Sequence, residues 1–158
     1  MTKETKQRFT LRITQANPTE LVVIIYEILL CYLDELQQAQ EKEDKLMQQE
    51  ALRNARACIN ELMQSLHLEY EPAGTLLQLY IYSLKRLAHF ERKQEQQAIE
   101  EVRNIMTALH DAYAQLAPQN PAGPVMNNSQ TVYAGFTYGR NDLTENMADQ
   151  GVNRGMRI

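Results

Sequence analysis

A chain of 158 residues, 44% apolar and 23% charged, is long enough to bury one substantial core and to carry a tail besides. Its net charge of −4 lacks the clustered basic surplus of a nucleic-acid binder, so no nucleic-acid partner is expected. Its two cysteines, Cys31 and Cys58, show no Cys-x-x-Cys or Cys/His spacing; they argue against a disulfide framework or a zinc site and read as reduced, buried thiols of a reducing compartment.

In chain order, residues 1–17 form an N-terminal arm whose basic residues Lys3, Lys6, Arg8 and Arg12 read as a solvated end. The first helix is predicted from "NPTE" to about residue 42, with Asn17 as cap, Pro18 at the first helical position and Glu20 three residues past the cap. Between Leu21 and Leu33 only Glu27 is clearly polar. An ordinary surface helix has one apolar stripe and one wet face, so this helix either lies centrally or has its outer face covered by a further element. The run falls short of the ~20 apolar residues a membrane span needs, and no small-residue cleavage site follows it. Neither membrane insertion nor a signal peptide is expected, and the chain reads as cytoplasmic.

A second helix, about 44 to 68, places Leu52, Ala55, Ile59, Leu62 and Leu66 at steps of three and four, the spacing of a bundle seam. A third, about 72 to 92, carries Leu76, Leu77, Tyr80, Leu84, Leu87 and Ala88 on one side. A fourth, about 95 to 117, repeats the stepping with Val102, Ile105, Leu109, Ala112 and Leu116. Short connections make neighbours antiparallel, and residues 18–117 read as an all-α, up-and-down four-helix bundle. Three of the five prolines and five of the six glycines lie beyond residue 117. Residues 118–158 therefore read as a separate tail, in which "APQNPAGPVMNNSQ" opens as a linker. Tyr133, Phe136, Tyr138, Leu143 and Met147 give the rest too much apolar surface for a free end, and "NDLTENMADQG" fits a short additional helix.

Chemistry is hard to find. Helical bundles that bind two metals use Glu-x-x-His, but the residues three before His67, His89 and His110 are Gln64, Arg86 and Thr107. A zinc-protease motif, a phosphate-binding glycine loop and a nucleophile elbow are also missing. No catalytic residue, metal or cofactor is expected, and the histidines and carboxylates read as helix surface. The apolar excess then points to a partner helix in a groove. Tyr26, Tyr32, Tyr70, Tyr80 and Tyr82 add contact area with a polar tip, a composition suited to interfaces. Closure of that groove by the chain's own tail or by a twofold-related copy fits the same pattern.

"NPTELVVIIYE" resembles the opening of the flagellin export chaperones of the FliS family, in which a Pro-x-x-Leu start leads into an aliphatic run ending in a tyrosine and an acid. "ARACINELMQSLHLEYE", "LLQLYIYSLKRLAHF" and "AIEEVRNIMTALHDAYAQL" are similar to the family's later helices, in order, over about residues 9 to 117. The resemblance implies a cytoplasmic antiparallel bundle. Its partners would be the disordered C-terminal segment of flagellin, which it keeps from premature polymerisation, and the flagellar export apparatus. Two departures stand out. Ile28-Leu29 replace the family's usual Gly-Ala after the acid, and the tail from about Pro118 lies outside the matched pattern.

On this basis the partner-binding groove is expected at Ile24, Ile28, Ile59, Met63, Leu66, Tyr80 and Leu84. Each also fits an ordinary core position, because periodicity does not separate an inward seam from a groove. Phe9 and Ile13 fall where the family has an N-terminal arm that caps the bundle and yields to flagellin. Tyr133, Phe136, Tyr138, Leu143 and Met147 are expected to dock on the bundle as a competing lid. The chain is expected to be a monomer or weak homodimer. Two alternatives stay open: a diverged paralogue serving another export substrate or a regulator, and a self-associating structural bundle.

Overall fold

A computed structural model describes residues 1–126; within them the chain is helical throughout, with five α-helices, one short 3-10 turn and no strand. The helices are α1 (Lys3–Gln15), α2 (Pro18–Glu41), α3 (Lys45–Gln64), α4 (Glu71–Lys93) and α5 (Gln96–Leu116). They fall into two compact units. One comprises Thr19–Pro121 together with Met1; the other comprises, among the described residues, Thr2–Pro18 and residues 122–126.

α1 was not foreseen as a helix. Thr2 caps it, its hydroxyl accepting from the Thr5 N–H at 3.2 Å. Phe9 and Ile13, one turn apart, are 4% and 2% exposed. The guanidinium groups of Arg8 and Arg12 sit 5.8 and 5.9 Å from the centre of the Phe9 ring, so these cations cover an aromatic face as well as facing water. Three apolar side chains in thirteen residues, one of them (Leu11) exposed, are too few for helical periodicity to register, which is why a solvated end was the expectation.

The larger unit is built around α2. From Leu21 to Gln37 only Asp34 is exposed. Tyr26, Leu29, Leu33 and Leu36 enter one cluster with Leu52, Ala55, Ile59 and Leu62 of α3, Tyr80, Leu87 and Phe90 of α4, and Ile99, Val102 and Met106 of α5. Each aliphatic side chain so buried contributes about 1.5–3 kcal/mol, before the cost of ordering the chain is counted. The helix that is apolar all round is thus the one that meets three others. Its partners on α5 come in descending order: the Tyr26 ring lies tilted against that of Tyr113, Glu27 faces His110 and Asp34 pairs with Arg103. Its partners on α4 come in ascending order, Tyr26 with Tyr80 and Gln40 with the carbonyl of Gln94.

Two tight turns close one end of this unit, and both use a left-handed residue other than glycine: Glu43 (φ 55°) after α2 and Gln94 (φ 57°) after α4. Asp44 then caps α3 through the Met47 N–H at 3.0 Å. The seam expected on α5 runs differently at its far end. Ala112 and Leu116 are exposed, Leu116 by 53%, and Tyr113 packs against the core in their place. The reason is register: the buried face of α5 runs through Ala98, Ile99, Val102 and Met106, a stripe offset from the expected one.

Candidate functional site

The seven groove positions divide by burial. Ile24, Ile59 and Tyr80 are 2%, 0% and 1% exposed and offer no free surface. Ile28, Met63, Leu66 and Leu84 are half-buried, and the last three pack against the core cluster from outside. Leu66 lies beyond the end of α3, where its N–H reaches back to the Met63 carbonyl at 3.3 Å. Ile28 stands beside core residue Leu29, so the Ile28-Leu29 step gives one side chain to the core and leaves the other partly open. Phe9 and Ile13 are buried in the smaller unit. Tyr133, Phe136, Tyr138, Leu143 and Met147, and the short helix expected near them, lie outside the described residues.

Tyr26 and Tyr80 differ from the interface role their composition suggested. Their hydroxyls hydrogen-bond to each other inside the core, linking α2 to α4, and the Tyr113 ring lies 5.7 Å from that of Tyr26. Burial, the dominant cause, raises both phenols; Tyr80 is pushed up to about 12, and Tyr26 further. The tips therefore stay protonated and serve as mutual hydrogen-bond partners. Of the remaining tyrosines named above, Tyr70 and Tyr82 are exposed by 69% and 45%, and Tyr82 donates to Glu101 at 2.9 Å. Tyr32 is half-buried and its phenol is raised, chiefly by burial.

Charged groups pair between helices, Arg56 with Glu91, Arg86 with Glu101 and Arg103 with Asp34, and His89 of α4 pairs with Glu95, the residue that precedes α5. His110 contacts Asp111 at 2.9 Å and Glu27 at 3.6 Å. Among the described residues no cluster of three histidine, cysteine or acidic side chains is placed to hold a metal ion. Cys31 and Cys58 are unbridged, half-buried rather than fully buried, and burial pushes the Cys58 thiol up to about 12. A polar cleft of about 550 Å³ at the turn end is lined by Gln40, Glu43, Lys45, Gln48 and Gln94, none of them a predicted groove residue. Its side chains already serve one another and the backbone: Gln40 donates to the Gln94 carbonyl at 2.7 Å and Lys45 to the Gln94 amide oxygen at 3.4 Å.

What these features define, over the described residues, is an all-helical chain whose apolar helix is enclosed by three others, with half-buried apolar side chains left at the margin of the core. No helix among the described residues is long and apolar enough to cross a membrane. The family model described as flagellar protein FliS matches residues 1–120, and the chain belongs to that family. Membership makes it a flagellar export chaperone of the flagellin-binding kind; the family is one of chaperones, not of enzymes. The match takes in α1 and runs on past α5 to Asn120, further at both ends than the sequence motifs reach. No curated protein matches the chain.

The polar partnership of Tyr26 and Tyr80 was missed by sequence reasoning, and so was the part of Tyr113. A signal was available in the spacing: Tyr26 and Tyr80 each sit inside an apolar helical stripe, where a phenol needs a buried partner. Which partner is a matter of tertiary packing.

Proposed function

We propose that the chain binds the disordered C-terminal segment of newly made flagellin in an apolar groove, keeps it from polymerising in the cytoplasm, and delivers it to the flagellar export apparatus. The observation that carries this reading is the set of half-buried apolar side chains: Met63, Leu66 and Leu84 at the edge of the core, and Ile28 beside core residue Leu29. Ile24, Ile59 and Tyr80 serve in it as the floor that shapes the groove. Full burial of an exposed apolar side chain is worth about 1.5–3 kcal/mol, and a partner helix gains the part of that which these half-buried side chains still leave open. Because the partner folds only as it binds, its ordering cost offsets part of that gain and keeps release feasible.

The architecture that goes with this reading is an antiparallel up-and-down bundle of α2 to α5. It is supported by the descending order of α2–α5 contacts, the ascending order of α2–α4 contacts and the short turns at Glu43 and Gln94. The N-terminal arm, through Phe9 and Ile13, acts as a cap that yields to flagellin. The tail, through Tyr133, Phe136, Tyr138, Leu143 and Met147, competes for the same groove. The free protein is a monomer or a weak homodimer.

Calorimetric titration of the flagellin C-terminal segment into the full chain, at several temperatures, tests the reading. Binding with a large negative heat-capacity change is expected. Leu84→Glu should weaken binding at least about tenfold with unchanged helical circular dichroism, since a charge would enter an apolar contact. Tyr133→Ala, Phe136→Ala and Tyr138→Ala together should strengthen it. Failure of the segment to bind the full chain overturns the assignment of partner, and a sedimentation coefficient rising with concentration would point to self-association instead.

A further inference from the structure

We propose that the stretch from Asn120 to Val125 is a clasp on the residues that link α1 to α2, and that it sets how readily α1 unwinds from its C-terminal end. Two hydrogen bonds carry this. In the smaller unit, the Val125 N–H donates to the Ala16 carbonyl at 3.0 Å. In the larger unit, the Asn120 side-chain amide donates to the Thr19 hydroxyl at 2.9 Å. Ala16 pairs with Val125 inside the smaller unit and Thr19 with Asn120 inside the larger, so each side of the connector is held by its own bond.

The bond at Ala16 matters because of where it falls. Ala16 is the C-terminal cap residue of α1, and the last carbonyls of a helix have no partner within it. Ala16 and Asn17 are 2% and 8% exposed, so the Ala16 carbonyl is poorly placed to turn to water when Val125 withdraws. α1 has 13 residues, a length at which an isolated helix is marginal, so its order depends on the burial of Phe9 and Ile13 and, at the fraying turns, on what holds its ends. Thr2 holds one end and Val125 the other. Pro121 and Pro124 stiffen the clasp in advance, lowering the entropy lost when it closes.

This makes the residues immediately after the helical region a restraint on the N-terminal arm. The consequence for partner binding rests on the reading that the arm yields to flagellin; the restraint itself does not. Hydrogen exchange on the full chain separates the two. Val125→Pro deletes the N–H, and with Val125 already 46% exposed it removes little packing. Asn120→Ala deletes the second bond, and Val125→Ala, which keeps the N–H, is the control. Exchange at Phe9 to Ala16 should rise about fivefold in the first two variants, the change expected for one lost hydrogen bond, and stay unchanged in the control, with α3 and α4 unaffected. Unchanged exchange at Phe9 to Ala16, an equal rise in Val125→Ala, or a rise spread evenly over all helices would each overturn the clasp. Titrating the flagellin segment into Val125→Pro then addresses the arm alone. Tighter binding alongside faster exchange supports both ideas; faster exchange with unchanged affinity keeps the clasp and removes the yielding arm.

Discussion

Replacing Tyr26 or Tyr80 by phenylalanine should be costly singly and cheap together. The two phenols are 0% and 1% exposed and bond to each other, so either single replacement keeps both rings but strands one hydroxyl in the core. A buried polar group left without its partner costs about 1–3 kcal/mol, whereas replacing both partners by apolar groups of the same shape is nearly neutral. Each single variant should therefore lose about 2 kcal/mol. With a urea m-value of about 2 kcal/mol/M, that moves the unfolding midpoint down by about 1 M. The double variant should lie within about 1 kcal/mol of the parent, a strongly non-additive cycle of the kind seen for contacting residues. The Tyr113 ring, 5.7 Å from that of Tyr26, keeps its aromatic neighbour in every variant and does not confound the comparison. Urea unfolding of the four proteins by circular dichroism measures the cycle. Additive single costs, or single costs near zero, would refute the reasoning, because they would mean that each hydroxyl is served by something other than its partner.

Three further outcomes are expected. Glu43→Gly should raise stability by about 0.5–1 kcal/mol, since relief of a left-handed residue at φ 55° outweighs the added freedom of glycine in the unfolded chain; the urea midpoint measures it. Cys58, with its thiol raised from 9.0 to about 12, should be alkylated about a thousandfold more slowly at pH 8 in the folded than in the urea-unfolded chain, as mass spectrometry of quenched samples will read. The hydrogen bond from His89 holds the Glu95 carboxyl below 4.5, so its contribution to stability is present above that value and lost as pH falls through the folded one. A carboxyl NMR titration should place the Glu95 midpoint below 4.5 and shift it upward in His89→Ala.

Much of the fold was legible in the residues themselves. Pro18 starts α2, and Pro72 falls in the first turn of α4, as the fixed φ and missing N–H of proline demand. The apolar positions of α3 give its buried face directly: Leu52, Ala55, Ile59 and Leu62 are all 2% exposed or less. Helical period is a local property, set by bond geometry and side-chain volume, and it survives whatever the helices later meet. The unbroken apolar run of α2 even implied a helix with no wet face, and Asp34 alone is exposed from Leu21 to Gln37.

Tertiary structure decided what period leaves open. A stripe says which side chains avoid water but not which other helix takes them in, and so Ile59 and Tyr80 turned out to be enclosed while Met63 and Leu84 stay half-open. Tyr26 and Tyr80 became partners only because packing brings α2 and α4 together at that level, and a hydroxyl in a dry core must bond to whatever packing supplies. α1 shows the same division at the other extreme. Its two buried apolar residues are too sparse to announce a helix, and its far end is completed by an N–H contributed from Val125, a bond between distant parts of the chain that no local pattern encodes.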